Sequence, residues 1–439
     1  MKIVHYFLGF PPYRSGGMTR FAFDLMTSQL KDSNEVIALW PGKMNFFRKT
    51  VSIKERKRVN GIKNYEIINP LPVPLDEGIE KPSLFMKKCD KKAFIEFFTK
   101  EKPNVIHIHT LMGLYKEMIE VANELNIKTV VTTHDYFGLC PKVTFYSDGN
   151  CDGNGCERCV KCNKTALSMT KIKLLQSPLY RMFKETNIIK SIRRKHRANF
   201  FNNKDINQKN NTSTAHDYQE LRKYYISILN KVDLVHYNST VSKEIYEKYI
   251  TPKKGVVLSI SHKNIKKHST KQKTTNNSKI NLIYLAPIKE FKGFKLIYEV
   301  LKELWESGNK KFILSVFGNE NFDCQYIKTL GESYKNEELG KIFEDIDILI
   351  APSIWNETFG FTVLEALSYG IPVIVSSTVG AKDIIGKAGI VFKSGDFEDL
   401  KGILERLNEK DINKYKEYAK EIKVKNWDEY VKENYKIYE

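Results

Sequence analysis

Two glutamates, Glu357 and Glu365, lie eight residues apart around a glycine turn in the C-terminal half of the chain. The apolar run before them predicts a buried strand, and residues 361–369 predict a helix. A glycine turn that leads from a strand into a helix can bind phosphate, because the first amides of the helix are free to donate. Carboxylates beside such a turn can accept hydrogen bonds from hydroxyl groups. The arrangement suits a ligand with a phosphate and several hydroxyls, such as a nucleotide sugar.

A second glycine turn, Ser15-Gly16-Gly17, precedes a predicted helix near the N-terminus, and His134 follows a predicted strand at residues 128–133. Open α/β sheets bind ligands beyond the carboxyl ends of their strands, which is where His134 is expected. A histidine titrates near neutral pH, so His134 suits a role beside a transferring group, and a structural histidine is the ordinary alternative. The glycine turn lets amides approach an anion, but similar turns precede helices that bind nothing.

Five of the seven cysteines fall between residues 140 and 162. In a cytosolic chain, clustered cysteines favour a metal site or reduced thiols over disulfides. Cys156, Cys159 and Cys162 are spaced C-x-x-C-x-x-C, and together with Cys151 they could bind a structural zinc ion. An iron–sulfur cluster and packed reduced thiols are the alternatives that this spacing leaves open.

The chain has 439 residues and a formal net charge of +19, and one segment stands out for its charge. Residues 164–197 contain ten lysines or arginines and a single acid, Glu185, with apolar side chains between them. Anionic lipid and nucleic acid are the obvious partners of such a segment. A basic helical insertion that packs on its own domain is the third interpretation.

Strands and helices must alternate in both halves of the chain to position these residues. The strands predicted for the first half are residues 2–10, 34–40, 104–109, 128–133, 232–237 and 256–260. Residues 43–69 are predicted to be irregular, and residues 140–230 interrupt the alternation. The strands predicted for the second half are residues 280–286, 311–317, 346–351, 373–375 and 389–392. A length of 439 residues favours two domains, and the polar stretch 263–278 is predicted to link them.

The sequence also bears on the location of the protein. It has no apolar run of transmembrane length, and the N-terminal apolar residues lack the cleavage site of a signal peptide. We therefore expect a cytoplasmic protein.

The segment around the two glutamates reads P-S-x-x-N-E-T-F-G-x-x-x-x-E-A-L-x-x-G-x-P-V-I, and its E-x7-E spacing resembles glycosyltransferase family 4. Lys292-Gly293 is similar to the family's lysine at the donor pyrophosphate. His134 begins an H-D-Y-x-x-x-C-P stretch that resembles a subgroup of the family. The resemblance implies an α/β GT-B fold, in which two Rossmann-like doubly wound domains face each other across a cleft.

The resemblance implies boundaries and roles for the whole chain. The domains expected are 1–262 for the acceptor domain with the insertion 140–230, 279–425 for the donor domain, and 426–439 for a helix that returns to the first domain. The residues expected to be catalytic are His134, Glu357 and Lys292. The residues expected to bind the donor are Gly16, Gly17, Lys289, Phe359, Gly360, Phe361 and Glu365.

The implied reaction is a retaining transfer from a nucleoside diphosphate sugar, and it requires no catalytic metal. The implied acceptor is a saccharide or a lipid-linked sugar in the synthesis of capsule, lipopolysaccharide or exopolysaccharide. Together with the basic segment, this implied acceptor suits a cytoplasmic protein that binds peripherally to an anionic membrane surface at the inner face of the plasma membrane, and the resemblance implies no nucleic-acid partner.

Two departures from the family pattern concern the donor site. Ala286-Pro287 stands where the family has glycine and arginine, and Lys289 is the nearest replacement for the lost charge. Asp383 stands where the family has a glutamate. Two competing hypotheses follow: a GT-B scaffold with weak or lost catalysis, and a basic nucleic-acid-binding protein with a zinc knuckle. The second leaves the paired glutamates unexplained.

Overall fold

Two β-sheets organise the molecule, one in each half of the chain. The computed structural model describes all residues except 12, 15, 46–48, 148, 152–155, 184, 185, 187–212 and 269–278. Ser15, residues 269–278 of the predicted linker and residues 187–197 of the basic segment therefore lie outside the described residues.

The first half of the chain forms an eight-stranded sheet. Its strands are β1 (Lys2–Tyr6), β2 (Glu35–Pro41), β3 (Ser52–Val59), β4 (Ile62–Ile68), β5 (Val105–Ile108), β6 (Lys128–Thr132), β7 (Leu234–Tyr237) and β8 (Gly255–Val257). They are ordered β3-β4-β2-β1-β5-β6-β7-β8, and every neighbouring pair is parallel except β3 and β4. The helices described in this half are α1 (Gly17–Lys31), α2 (Lys92–Glu101), α3 (Lys116–Glu124), α4 (Glu157–Cys162), α5 (Met169–Leu175), α6 (Pro178–Phe183), α7 (Ala215–Leu229) and α8 (Thr240–Tyr246).

The prediction of an irregular stretch at residues 43–69 is wrong, because the hairpin β3–β4 lies there. The sequence of β3, SIKERKRV, does not alternate between apolar and polar residues, and its central residues are exposed. Lysines and arginines on an outer strand protect the sheet edge from pairing with other chains, so the usual periodicity is absent. The charged sequence of β3 therefore explains why this strand was not predicted.

The second half of the chain forms a six-stranded parallel sheet. Its strands are β9 (Ile280–Tyr284), β10 (Phe312–Phe317), β11 (Ile327–Gly331), β12 (Ile348–Ala351), β13 (Val373–Ser376) and β14 (Gly389–Phe392). Their order, β11-β10-β9-β12-β13-β14, reverses direction at β9, as in a doubly wound Rossmann sheet. The helices are α9 (Phe294–Glu306), α10 (Leu339–Phe343), α11 (Phe361–Ser368), α12 (Phe397–Arg406), α13 (Glu409–Glu421) and α14 (Trp427–Tyr435). Only β11 was not predicted, since its three middle residues are exposed.

One buried apolar cluster joins the two halves. Phe21 and Leu25 of α1 pack in the same cluster as Val363 of α11 and as Trp427 and Tyr430 of α14. The indole of Trp427 also donates a hydrogen bond to Ser28 Oγ in α1, at 2.8 Å. The cluster packs the two halves of the chain against each other, and open α/β sheets bind ligands at the carboxyl ends of their strands, where the strand order reverses.

Candidate functional site

Glu357 lies in the loop between β12 and α11, and two side chains hold its carboxylate. Lys292 Nζ donates to Oε1 at 2.7 Å, and Ser353 Oγ donates to Oε2 at 2.8 Å. The side chains of Lys292 and Glu357 are 17% and 18% exposed, so the ion pair is partly shielded from solvent. The structure thus brings together two residues that the sequence predicted to be catalytic.

Backbone hydrogen bonds fix the loop that carries Glu357. The Glu357 amide donates to Thr378 O at 2.8 Å, and the Gly380 amide donates to Glu357 O at 3.0 Å. The side chain of Phe359 is buried in the core, and its carbonyl accepts from the amide of Ala381 at 2.7 Å. Of the predicted donor-binding residues, Phe359 can therefore face a ligand through its backbone alone.

Three helices next to the cleft begin at a glycine that has no capping side chain. These are α1 after Gly16, α9 after Gly293 and α11 after Gly360, and none has an acid in its first turn. Side chains cap α5, α7, α8, α12, α13 and α14, whereas α2 and α10 also begin without a capping side chain or an acid, but not at a glycine. The amides at an uncapped helix start can donate to an anion. Gly293 is required here, because its φ is +75° and a Cβ would lie 1.8 Å from Pro352 O.

Glu365 lies in α11, where it is buried. Its Oε1 is 3.3 Å from Nε2 of His262, although the two groups do not have the geometry of a hydrogen bond. The His262 ring also meets the ring of Phe361 edge-on, with centres 5.3 Å apart. Sequence reasoning missed His262, because the basic and polar residues after it have the composition of a linker.

His134 lies across the cleft from Glu357. Thr358 Oγ1 donates to His134 O at 3.0 Å, which brings the loop beside Glu357 against the first domain. The His134 ring meets Phe21 edge-on, with centres 4.8 Å apart, and Nε2 lies 3.2 Å from Nδ1 of His109. Burial, and to a lesser extent the charge of His236, lowers the pKa of His134 to about 3. His134 is therefore neutral at physiological pH.

Direct contacts hold the two halves together beside this site. Ser239 Oγ donates to Thr358 O at 2.8 Å, and both the amide and the hydroxyl of Thr240 donate to the Asp383 carboxylate at 2.6 Å. A Cβ on Gly380 would lie 2.4 Å from Ser239 Oγ, so the close approach needs glycine. Asp383, which departs from the family pattern, thus binds the start of α8 in the other half.

Three buried polar groups lack a hydrogen-bond partner among the described residues: the hydroxyl of Tyr136 and the indole nitrogen of Trp355, both near the ion pair, and Nε2 of His262, beside Glu365. Burial and the nearby charge of Glu357 raise the pKa of Tyr136. The ammonium of Lys292 lies 5.1 Å from the centre of the Trp355 ring. Buried polar groups without partners are rare in folded proteins and indicate places where water or a ligand binds.

Lys289 does not replace the family arginine through any contact that the structure describes. Its ammonium lies over the ring of Phe291, 5.5 Å from the ring centre. Pro287, at the family's arginine position, accepts a hydrogen bond from the hydroxyl of Tyr284 through its carbonyl. A role for Lys289 in donor binding stays a prediction, as do those of Gly16 and Gly17, beside which the described residues leave open space.

The cysteines predicted to bind zinc do not form a metal site in the part of the chain that is described. Within that part, the one group of three or more ligand atoms that a cation could bridge belongs to His5, His107 and His109. Cys159 is buried, with Arg222 Nη2 3.8 Å from its sulfur, and Cys151, Cys156 and Cys162 are half-buried. Zinc binding therefore stays a prediction, which metal analysis of protein purified without chelator would test.

None of the described helices combines the length and the apolar character that a membrane span requires.

Comparisons with known proteins agree with this geometry. Residues 265–425 match the family model described as Glycosyl transferases group 1, so the second half of the chain carries a domain of this kind. An uncharacterized 41.2 kDa protein in the cps region of Klebsiella pneumoniae is 28% identical over 152 residues, which are 33% of this chain and 41% of that protein. The chain spans less than half the length of the curated relatives that it matches.

Solved structures match the whole chain in fold. Anabaena HepE in complex with UDP superimposes with a TM-score of 0.56 at 11% identity and covers 99% of both chains. The apo form of the lipopolysaccharide outer core galactosyltransferase WaaB superimposes with a TM-score of 0.57 at 14% identity, covering 100% of this chain and 99% of the other. Together with the two sheets, these likenesses confirm the predicted GT-B fold.

Proposed function

We propose that the protein is a retaining glycosyltransferase, which moves a sugar from a nucleoside diphosphate sugar to a saccharide or lipid-linked acceptor. The observation that carries the proposal is the ion pair of Lys292 and Glu357. It lies between the uncapped starts of α9 and α11, with His134 across the cleft. Amides and an ammonium suit a diphosphate, and a neighbouring carboxylate suits sugar hydroxyls.

Each residue then has a separate task in donor binding. The amides that begin α9 and α11 hold the diphosphate, and Lys292 neutralises part of its charge. Glu357 accepts hydrogen bonds from hydroxyls of the transferred sugar, and Glu365 accepts them from the ribose. The unpaired hydroxyl of Tyr136 and indole of Trp355 supply further hydrogen bonds to the bound donor.

In the proposed reaction, the bond between the anomeric carbon and the diphosphate oxygen breaks while an acceptor oxygen bonds to the same face of that carbon. The acceptor hydroxyl loses its proton to the departing diphosphate, so the configuration is retained. Negative charge on the diphosphate grows as the bond breaks. Lys292 and the helix amides stabilise that charge from fixed positions, which is how preorganised electrostatics lowers a barrier.

The comparisons support the biological setting of this proposal. The solved HepE structure contains UDP, one relative belongs to a cps region, and WaaB is named as a lipopolysaccharide outer core galactosyltransferase. A uridine diphosphate sugar and a cell-surface polysaccharide are therefore the donor and product class to test first.

We also propose that the protein docks on an anionic membrane through its insertion. Leu174 in α5 and Phe183 in α6 are 55% and 48% exposed, which is unusual for large apolar side chains. Lys171 is exposed in the same helix as Leu174, and the sequence that follows is strongly basic. Apolar side chains beside lysines suit the headgroup region of a bilayer that contains anionic lipid. A lipid-linked acceptor would be presented at that surface.

A panel of nucleotide sugars tests the proposed activity. A donor that binds at a concentration of 100 times its Kd stabilises the fold by about 2.7 kcal/mol, which raises the melting temperature measurably. With that donor, Glu357→Gln should lower transfer by roughly 100-fold, the typical cost of losing one preorganised polar contact. Glu344→Gln, an exposed carboxylate in the same domain, is the matched control and should transfer normally.

The result that contradicts the proposal is a folded protein that neither binds nor consumes any donor in the panel, which would favour a scaffold without catalysis. The anomeric configuration of the product, determined by NMR, tests the retaining course separately.

A further inference from the structure

Five histidines lie behind the cleft in the first sheet, and four of them are fully buried. They are His5 in β1, His107 in β5, His109 just after β5, His134 just after β6, and His236 in β7. Buried imidazoles are costly unless their nitrogens are hydrogen-bonded. The proposed function uses only His134, so the other four need an explanation.

The ring nitrogens of these histidines belong to one connected series of hydrogen bonds. The series begins at the carbonyl of Leu258, which lies 2.7 Å from Nε2 of His236. Thr132 Oγ1 lies 2.9 Å from Nδ1 of His236 and 2.7 Å from Nε2 of His107. Nδ1 of His107 then lies 2.7 Å from the hydroxyl of Tyr438. Tyr438 follows α14 and packs in one apolar cluster with residues of the first sheet.

The series continues from Tyr438 to the cleft. Nε2 of Gln29 in α1 donates to the Tyr438 hydroxyl at 3.0 Å, and Oε1 of Gln29 lies 2.7 Å from Nε2 of His5. Nδ1 of His5 is 3.0 Å from Nε2 of His109, and Nδ1 of His109 is 3.2 Å from Nε2 of His134. We call the eight linked groups from Leu258 O to His109, which end on His134, the histidine relay.

Elementary chemistry gives the histidine relay a single direction. A carbonyl can only accept, so His236 must carry its proton on Nε2, and a neutral imidazole then has a lone pair on Nδ1. Thr132 must donate to that lone pair and accept from His107, and each later group is constrained in the same way. The amide of Gln29, which donates to Tyr438, accepts from His5 through its oxygen. Every link therefore points from His134 towards Leu258.

Burial keeps the imidazoles neutral, as this argument requires. It lowers the pKa of His5 and of His236 to about 4, and it holds the pKa values of His107 and His109 well below the ordinary value. Hydrogen bonds that all point the same way polarise one another, which strengthens the whole series.

A metal ion is the competing explanation for the same histidines. One ligand atom from each of His5, His107 and His109 lies within 4.8 Å of the others, a spacing that a cation could bridge. Both ring nitrogens of each of these three residues are already hydrogen-bonded in the relay. A metal would have to break several of these bonds, whereas the relay satisfies all six nitrogens.

We propose that the histidine relay fixes His134 in the tautomer with its proton on Nε2, so that Nδ1 presents a lone pair to a ligand. No donor to Nδ1 occurs among the residues that the structure describes. His134 then accepts a hydrogen bond from a hydroxyl group and does not donate one. The tautomer follows from the relay alone, whereas the identity of the hydroxyl, on the sugar donor or on the acceptor, rests on the proposed function.

In this proposal His5, His109, Gln29 and Tyr438 are positioning residues. They do not touch the ligand, and they act by selecting one of two nearly equal forms of His134. Without a directional series of hydrogen bonds, a neutral histidine can exchange between its two tautomers. A fraction of the molecules would then carry the proton on Nδ1 of His134 and could not accept a hydrogen bond there. The relay therefore makes the tautomer of His134 a fixed property of the fold.

NMR of protein labelled with ¹⁵N in histidine tests the relay without any substrate. The signals of His134 are identified by their loss in His134→Gln. We expect wild-type His134 at pH 7.5 to show a protonated Nε2 and an unprotonated Nδ1. Tyr438→Phe and Thr132→Val each remove one linking hydroxyl while nearly preserving side-chain shape, and His134 should become a mixture of tautomers in both.

Tyr435→Phe is the matched control, because among the described residues its hydroxyl bonds to Asp32 and Asn34, which lie outside the relay, and it should leave His134 unchanged. Two results would overturn the proposal: a wild-type His134 with its proton on Nδ1, or a single unchanged tautomer in both linking variants. The NMR experiment contains no nucleotide sugar, so a result that contradicts the relay leaves the proposed transferase activity untouched. That activity is tested separately by the nucleotide-sugar panel.

Discussion

Lys292 and Glu357 form one ion pair, but the two residues should contribute differently to binding. Lys292 belongs to the turn before α9, and Glu357 precedes α11, so the pair brings the starts of both helices together. In the absence of a ligand, each side chain neutralises the other. A diphosphate would compete with Glu357 for the ammonium, while sugar hydroxyls would occupy the carboxylate.

This division predicts two different binding phenotypes. Lys292→Met should weaken the binding of the free nucleoside diphosphate and of the full nucleotide sugar to the same extent, by roughly tenfold to 100-fold, because a charge-assisted hydrogen bond to phosphate is lost. Glu357→Gln should weaken the binding of the nucleotide sugar more than that of the diphosphate, because the proposed partners of Glu357 are sugar hydroxyls. Isothermal titration calorimetry with both ligands separates the two effects.

Lys302→Met is the control for the lysine, since Lys302 lies in the same helix α9, beyond its first turn, with its side chain 54% exposed. Equal losses for both ligands in Glu357→Gln would contradict the proposed role of this carboxylate.

Two residues of the site were not identified from the sequence. Glu357, Glu365 and Lys292 were found because their motif is local. His262 and Thr358 were missed, and each acts through a partner far along the chain: Glu365 for His262, and the carbonyl of His134 for Thr358. His262 has no spacing that marks it, and although Thr358 stands in the motif beside Glu357, its contact with the other half of the chain leaves no pattern in the sequence.

At the scale of elements, α5 and α6 differ from the helices that build the two domains. Each is short, at seven and six residues, and each exposes a large apolar side chain. The insertion nevertheless packs on the first domain, because Gln176 accepts from the amide of Val73 and donates to the carbonyl of Gly42. The apolar side chains are therefore presented outwards from a fixed base, as membrane docking requires.

Vesicle sedimentation tests this surface. The wild type should bind vesicles that contain anionic phosphatidylglycerol and should bind pure phosphatidylcholine weakly, because lysines contribute about 1 kcal/mol each at an anionic surface. Leu174→Ser combined with Phe183→Ser should reduce binding without lowering the melting temperature.

Ile95→Ser is the matched control, because Ile95 is an exposed apolar residue of α2 in the same domain and should not affect binding. Equal binding of the double variant and the wild type would contradict membrane docking. Retention on nucleic acid at physiological salt in place of vesicles would favour the rival function.

At the scale of the whole molecule, the buried histidines couple stability to pH. A histidine whose pKa is lower in the folded protein than in the unfolded chain stabilises the fold only while both states are neutral. This stability is present above pH 6.5 and is lost as the pH falls towards the folded pKa values, about 4 for His5 and His236 and about 3 for His134. Asp135 acts in the opposite direction below about pH 6, because burial raises its pKa to about 6.

We therefore expect the free energy of unfolding to fall between pH 6.5 and 5, by about 1 kcal/mol per pH unit for each buried histidine. Urea unfolding at a series of pH values measures this slope. His5→Gln should reduce the slope by about one proton, whereas His216→Gln, at an exposed position, should leave it unchanged. A stability that is flat over this range would mean that the five histidines are not neutral in the fold.

Features that depend on neighbours along the chain could be predicted from the amino-acid sequence. Apolar runs placed most strands, glycines placed the turns before α1, α9 and α11, and the E-x7-E spacing placed the two glutamates on either side of a helix start. These patterns are readable because strand and helix periods are short, so each is complete within about ten to twenty residues. The strands β3, β4 and β11 were missed: β3 and β11 are largely exposed and have few apolar residues to mark them, and the apolar residues of β4 are interrupted by Lys63, Asn64 and Glu66.

The tertiary structure alone decided which distant groups meet. Gln29 and Tyr438 are 409 residues apart, yet their hydrogen bond is the link that connects His134 to the carbonyl of Leu258, which sets the direction of the relay. The same is true of Asp383 and Thr240, which join the two halves beside the ion pair. A hydrogen bond constrains distance and direction in space but leaves no spacing in the sequence, so histidines that read as separate core residues form one connected system only when the sheet is assembled.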